Sequence, residues 1–165
     1  MFFWHIGLSI SFFRYVFKDF SADLRFLIIG VILPEIIYIS LNLMNFSELY
    51  SQIGHTLLFA IFSLIFVMIF TKRNTKLRRN FLLIAIGVFF HLLFDFMWLR
   101  QEVLFFPLQF EDKDTFIFNA STLFIQEVIG LVYLIPKLNS KEKIKRLFNE
   151  GVILSLIHIS EPTRH

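Results

Sequence analysis

Long apolar runs constrain the fold of this chain more than any other feature. A helix needs about 20 mostly apolar residues to cross the hydrocarbon of a bilayer. Four runs come near that length or exceed it: Leu24–Met44, His55–Phe70 with its flanks, Phe81–Leu99 and Phe116–Pro136. A fifth run, Phe2–Phe17, is shorter. The runs exceed strand length and lack alternation, so they predict an all-α, polytopic transmembrane helix bundle of four to five helices.

Composition supports a membrane protein and narrows its chemistry. The hydrophobic fraction is 56% and Phe alone supplies 24 residues, whereas soluble domains are about 45–50% apolar. The chain has no Cys, which excludes disulfides, thiolate nucleophiles and thiolate metal sites. Any bound metal would therefore be held by nitrogen and oxygen atoms.

Charges in the connecting loops predict the orientation of the bundle. Loop 72–79 carries five basic residues and no acid, and the segment after Pro136 is also mostly basic. Loop 100–114 is mainly acidic. We therefore expect loop 72–79 and the C-terminal segment to be cytoplasmic, and loop 100–114 to lie outside.

Ionisable residues interrupt the apolar runs, and they are the main functional signal. They are His5, Glu35, His55, His91 and Asp95. Because such groups are costly in hydrocarbon, each is a functional-site hypothesis. His and carboxylate side chains together suit a divalent metal, zinc above all.

His91 and Asp95 have the i, i+4 spacing that stacks two side chains on one helix face. They could bind one metal, or Asp95 could orient the His91 ring. The plainer interpretation is a hydrogen bond that fills a polar gap between helices.

The predicted topology places all five residues within one leaflet, so we expect one shared pocket near the outer face. Pro34 predicts a kink beside Glu35. Glu127 falls near mid-depth and is a further candidate, as a ligand, a hydrogen-bond acceptor or a partner for an Arg.

Five short motifs in order resemble a known family. They are HIG from His5, GVILPE ending at Glu35, GHTLL around His55, HLLFD from His91 to Asp95, and VLFFPL around Pro107. Together they cover about residues 1–110. The chain resembles the LexA-regulated inner-membrane metal-dependent hydrolases that carry a domain of unknown function. That family has a distant likeness to zinc-dependent phospholipase C.

The resemblance implies a location in the cytoplasmic (inner) membrane of a prokaryote and a divalent metal, with zinc favoured. It implies that His5, Glu35, His55, His91 and Asp95 are metal ligands. Glu35 stands where the family usually has Asp, and Ile37 where it often has a second acid. The missing acid argues against a second metal.

The resulting hypothesis is a membrane-embedded hydrolase. One cation would be held by His55, His91 and either Asp95 or Glu35, and the remaining carboxylate would act as general base. Glu35 and Asp95 are thus the candidate catalytic residues. A phospholipid or other phosphoester at the outer leaflet is the expected substrate. Membrane lipid is the expected partner, and no nucleic acid is expected, because the basic patch is short and lacks aromatic residues.

Two alternatives stay open at this point. A metal or proton transporter would also use buried His and carboxylate groups, and a structural membrane protein would use them to join helices.

The sequence also predicts where the natural domain ends. Leu154–Arg164 (LSLIHISEPTR) resembles a translated transposase adaptor used in sequencing libraries. We therefore expect one membrane domain at 1–153 and an artefactual tail at 154–165, with no role for His158 or His165.

Overall fold

The structure, a computed structural model, describes residues 1–108 and 120–153. Within these residues the chain forms α-helices and short 3₁₀ turns, and no strand. The α-helices are α1 (Phe2–Phe17), α2 (Leu24–Leu43), α3 (Glu48–Ser51), α4 (Leu57–Phe70), α5 (Lys76–Phe94), α6 (Gln101–Leu104), α7 (Ala120–Leu138) and α8 (Lys141–Glu150). The predicted all-α fold is confirmed. The tail 154–165 lies outside the described residues, so the domain division stays a prediction.

Three helices of the described chain, α2, α5 and α7, are long and apolar enough to cross a membrane. A fourth span arises if residues 48–55 are counted with α4, although the two parts meet at a bend of 45°. The first helix has only 16 residues, fewer than the roughly 20 that cross the hydrocarbon of a typical bilayer. The predicted bundle of membrane-spanning helices is therefore confirmed, whereas the orientation of the bundle stays a prediction.

The apolar run His55–Phe70 with its flanks is broken rather than one continuous helix. Ser47 precedes the short helix α3, and the 3₁₀ turn Gln52–His55 follows before α4 begins. Thr56 is extended, and its hydroxyl accepts a hydrogen bond from the Phe59 amide. A Thr that caps a new helix in this way ends the preceding one. His55 therefore sits at a bend.

The helix that contains the apolar run Phe81–Leu99 differs from that run at both ends. Thr75 accepts a hydrogen bond from the Arg78 amide and starts α5 at Lys76. The helix ends at Phe94, and Asp95 is its C-cap. The Asp95 amide still donates to the His91 carbonyl at 2.9 Å, so the two residues remain one turn apart. For the last run, α7 is described from Ala120, so the expected start at residue 116 lies outside the described residues.

Glycines bring α2 and α5 into close contact. A Cβ atom on Gly30 would lie 2.1 Å from the Ile84 carbonyl oxygen, and one on Gly87 would lie 2.5 Å from the Leu27 oxygen. Close backbone approach through small residues is typical of helix pairs in membranes. The α2–α5 pair therefore admits no side chain at these two positions.

The C-terminal segment is tied to the end of the bundle where α1 ends and α2 begins. The Leu24 amide donates to the Gly151 carbonyl at 2.7 Å, and Arg14 donates to the Ile153 carbonyl at 3.0 Å. Arg25 forms a bidentate ion pair with Asp23, which holds the pKa of that carboxyl below its usual value. Lys76 lowers the same pKa further. We call this end of the bundle, which carries Arg14, Arg25 and Lys76, the basic end.

Substituting Gly87 tests the α2–α5 contact. Gly87→Ala is expected to lower the free energy of unfolding by about 1–3 kcal/mol, because the added methyl group must push the helices apart. Thermal unfolding in detergent micelles measures the change. Ser40→Ala, at an exposed position on α2, is the matched control. Equal unfolding midpoints for the two variants would contradict the close contact.

Candidate metal centre

His91 is positioned by the α2–α5 contact. It lies in the last turn of α5, and its Nδ1 is 2.8 Å from the Val31 carbonyl oxygen on α2. A carbonyl only accepts, so Nδ1 carries the proton and Nε2 keeps its lone pair. That Nε2 atom is buried without a hydrogen-bond partner among the described residues. It lies 3.9 Å from Glu35 Oε2.

Glu35 and His55 meet because two backbone segments touch. A Cβ atom on Gly54 would lie 3.0 Å from the Pro34 Cα atom and from its carbonyl oxygen. The residues that follow each of these, His55 and Glu35, therefore face one another. His55 Nε2 is 3.3 Å from Glu35 Oε2. The His55 and His91 ring centroids are 4.9 Å apart, so the two imidazoles lie next to one another beside Glu35.

Glu35, His55 and His91 can hold a metal ion together. One ligand atom from each lies within 4.8 Å of the other two. The imidazoles are buried, at 6% and 2% exposure, while the Glu35 side chain is 42% exposed. Two imidazoles and one carboxylate form a donor set that suits a divalent transition metal.

Unpaired ring nitrogens lie in and beside the cluster. His5 Nε2, His55 Nδ1 and His91 Nε2 are all buried without a hydrogen-bond partner among the described residues. Most buried polar atoms in proteins are paired, and an unpaired one needs an explanation. A cation that accepts an imidazole lone pair would explain His91 Nε2, which lies beside Glu35 Oε2, whereas His55 faces Glu35 with Nε2 rather than with its unpaired Nδ1.

His5 and Asp95 adjoin the cluster but are not part of the three-ligand group. The His5 ring stacks on His91, with centroids 4.2 Å apart, and its Nδ1 contacts the Met1 carbonyl oxygen. His5 Nε2 lies 3.7 Å from Asp95 Oδ1. The ligand and catalytic roles predicted for these residues stay predictions.

The structure resolves how the HxxxD pair is used. The Val31 carbonyl, rather than Asp95, orients the His91 ring. Asp95 instead faces His5, on a helix far away in sequence. The spacing therefore predicted that the two residues lie one turn apart but did not reveal their partners.

Glu127 is a hydrogen-bond acceptor, one of the three roles that the sequence left open for it. Its carboxylate accepts hydrogen bonds from the Phe2, Phe3 and Trp4 amides at the start of α1. The first amides of a helix have no partner within it, so Glu127 caps α1 from α7. The Trp4 indole donates to the Phe94 carbonyl at 2.9 Å, beside Asp95. Both contacts fix the turn that carries His5.

Gln52 and Arg100 also reach the site, and the sequence analysis had given neither a role there. They border a cavity of about 220 Å³ together with Glu35, His55 and Asp95. A signal was available for Gln52, which stands three residues before His55 and thus one helical turn away. No local pattern marks Arg100.

The described chain is thus a polytopic helical membrane protein with a histidine–carboxylate cluster at the end opposite its basic end. Its inner-membrane location is supported by comparison with known proteins. The chain belongs to the YdjM inner membrane protein family, whose family model matches residues 3–162. No curated protein and no solved structure matches it.

Replacing Glu127 tests its capping role. Glu127→Gln is expected to lower stability by about 1–2 kcal/mol, because the charged acceptor at the helix N-terminus is lost. The metal content after incubation with zinc should equal that of wild type, since Glu127 is not in the candidate ligand group. Thermal unfolding and metal analysis measure both quantities. Glu150→Gln, exposed at the end of α8, is the control, and loss of zinc in Glu127→Gln would overturn this assignment.

Proposed function

We propose that this protein is a membrane-embedded metal-dependent hydrolase. The observation that carries the proposal is the group formed by Glu35, His55 and His91, whose ligand atoms lie within 4.8 Å of one another. Three protein ligands leave a fourth position open, as in catalytic rather than structural zinc sites. Zinc is the proposed ion, because it accepts two imidazoles and one carboxylate readily.

The sequence left open whether Glu35 or Asp95 would be the ligand, and the geometry favours Glu35. Its Oε2 atom is near both His55 and His91, whereas Asp95 faces His5. A bound divalent cation would polarise a phosphoryl oxygen and lower the pKa of a coordinated water.

Asp95 is the proposed general base. Its side chain is 18% exposed and borders the same cavity as Glu35 and His55, so it can take a proton from a water held there. His5 Nε2 lies 3.7 Å from Asp95 Oδ1 and has no hydrogen-bond partner among the described residues. After Asp95 takes up a proton, His5 Nε2 accepts a hydrogen bond from it and so orients the carboxyl group. Positioned acid–base groups of this kind contribute about 10²–10⁴-fold to rate.

The proposed substrate is a phosphoester, either a phospholipid or another amphiphile. The cavity is bordered by Met1 and His5 at the start of α1 and by Asp95 at the C-cap of α5, and we propose that a lipid headgroup reaches it from that end. Its border is largely polar and charged, which suits a headgroup rather than an acyl chain.

A transporter would need ionisable groups that continue toward the basic end. Of the polar residues described on that side of the cluster, Ser63 donates to a carbonyl of its own helix, and Arg14 donates to the Ile153 carbonyl. Buried Ser9 and Gln126 have unpaired atoms, and neither is an ionisable group. The hydrolase is therefore the better-supported proposal.

Metal analysis tests the ligand assignment. Purified protein is expected to carry about one zinc ion per chain, and His55→Ala or His91→Ala should reduce this to background. His158→Ala makes the same substitution in the tail to which the sequence assigns no role and should keep its zinc. Wild-type protein without stoichiometric metal after reconstitution would refute the proposal.

Replacing Asp95 separates a base from a ligand. Asp95→Asn is expected to keep its zinc while kcat falls by about 10²–10⁴-fold. Hydrolysis of bis(4-nitrophenyl) phosphate by the zinc-loaded protein measures this. Glu142→Gln, exposed on α8, should leave kcat unchanged. If Asp95→Asn loses zinc along with activity, Asp95 is a ligand and not the base.

A further inference from the structure

We infer that Arg100, held by Gln52, forms an anion-binding subsite beside the metal centre that receives the phosphoryl group of the substrate. This inference rests on the proposed hydrolase function and adds the residue that would recognise the substrate's charge. It comes from the shared cavity of about 220 Å³, which Arg100 and Gln52 border together with Glu35, His55 and Asp95.

The hydrogen bond between Arg100 and Gln52 does not itself neutralise the charge of the guanidinium. Arg100 Nη2 donates to Gln52 Oε1 at 2.9 Å. An amide oxygen is a neutral acceptor, so it orients the guanidinium without neutralising it. Among the described residues, no carboxylate lies within 4.0 Å of this guanidinium to form an ion pair. A guanidinium has five N–H donors, and most of them remain for another partner.

Both members of the pair are rigidly placed. Gln52 is 7% exposed and begins the 3₁₀ turn that ends at His55. The Arg100 amide donates to the Met97 carbonyl at 2.9 Å, and the Arg100 carbonyl accepts from the Leu104 amide at 3.0 Å. Met97 is fully buried. The 3₁₀ turn therefore carries both His55, a proposed metal ligand, and Gln52, the residue that orients Arg100.

The chemistry of the cavity selects a phosphoryl group. A planar guanidinium binds the oxygens of phosphate in a bidentate manner, which a lysine cannot do. The surrounding Glu35, Glu48 and Asp95 carboxylates would repel an anion unless a divalent cation offsets their charge. An anionic substrate that spans the metal centre and Arg100 satisfies both conditions. A bare acyl ester offers Arg100 no charge.

Titrating inorganic phosphate into zinc-loaded protein in detergent tests the subsite by calorimetry. Arg100→Gln is expected to weaken the phosphate Kd by about 10–100-fold, the loss of a charge-assisted hydrogen-bond pair, with unchanged zinc content. Gln52→Glu should weaken it as well, because the new carboxylate would pair with the guanidinium. Arg73→Gln, exposed at the basic end, is the matched control and should bind phosphate normally.

The outcomes separate this inference from the proposed function. Unchanged phosphate affinity in zinc-loaded Arg100→Gln, or no phosphate binding by zinc-loaded wild type, overturns the subsite and leaves the metal centre standing. Absence of zinc in wild type refutes the proposed function itself. Should Arg100→Gln fail to fold, Arg100→Lys keeps the charge, and a weakened Kd there supports the bidentate contact while an unchanged one opposes it.

A second arm identifies the source of the phosphoryl group. The titration is repeated with short-chain phosphatidylglycerol in mixed micelles. Weakening by Arg100→Gln in this arm assigns the subsite to a lipid headgroup, and weakening confined to inorganic phosphate assigns it to a soluble phosphoester. Loss of Arg100 dependence in both arms overturns the inference.

Discussion

The close contact between α2 and α5 is the constraint on which the rest of the site depends. Gly30 and Gly87 let the two backbones approach so closely that no Cβ atom fits between them. This approach puts the Val31 carbonyl within hydrogen-bond distance of His91 Nδ1. The bond fixes the tautomer of the ring and turns its other nitrogen toward Glu35, one helical turn further along α2. A wider helix pair would leave His91 free to rotate.

The remaining site residues are attached to this pair by equally specific backbone contacts. Gly54 packs on Pro34 and so brings His55 to Glu35. Glu127 caps the first turn of α1 and holds His5 against His91. In each case a residue outside the candidate ligand group determines where an ionisable side chain points. The candidate metal centre is therefore a product of helix packing, and the hydrogen bond between Arg100 and Gln52 borders the same cavity as Glu35 and His55.

Much of the fold could be predicted because the bilayer restricts it strongly. Apolar runs of span length leave few options besides helices, and all of the described chain is consistent with that. The breaks were harder to foresee. Thr56 ends one helix and caps the next, yet a Thr inside an apolar run is common in continuous membrane helices. Phe96, with φ of 53°, has a left-handed backbone directly after Asp95, and no local sequence pattern marks it.

The amino-acid sequence by itself determined the class of protein and singled out His5, Glu35, His55, His91 and Asp95, which the structure brings close together. The cost of burying charge in hydrocarbon makes such residues cluster, and this holds whatever the helix arrangement. Only the tertiary structure decided the partners, pairing His91 with Val31, Asp95 with His5, and Arg100 with Gln52. Pairing depends on distances of a few ångströms between distant segments, and glycine contacts and caps set those distances without any local sequence pattern.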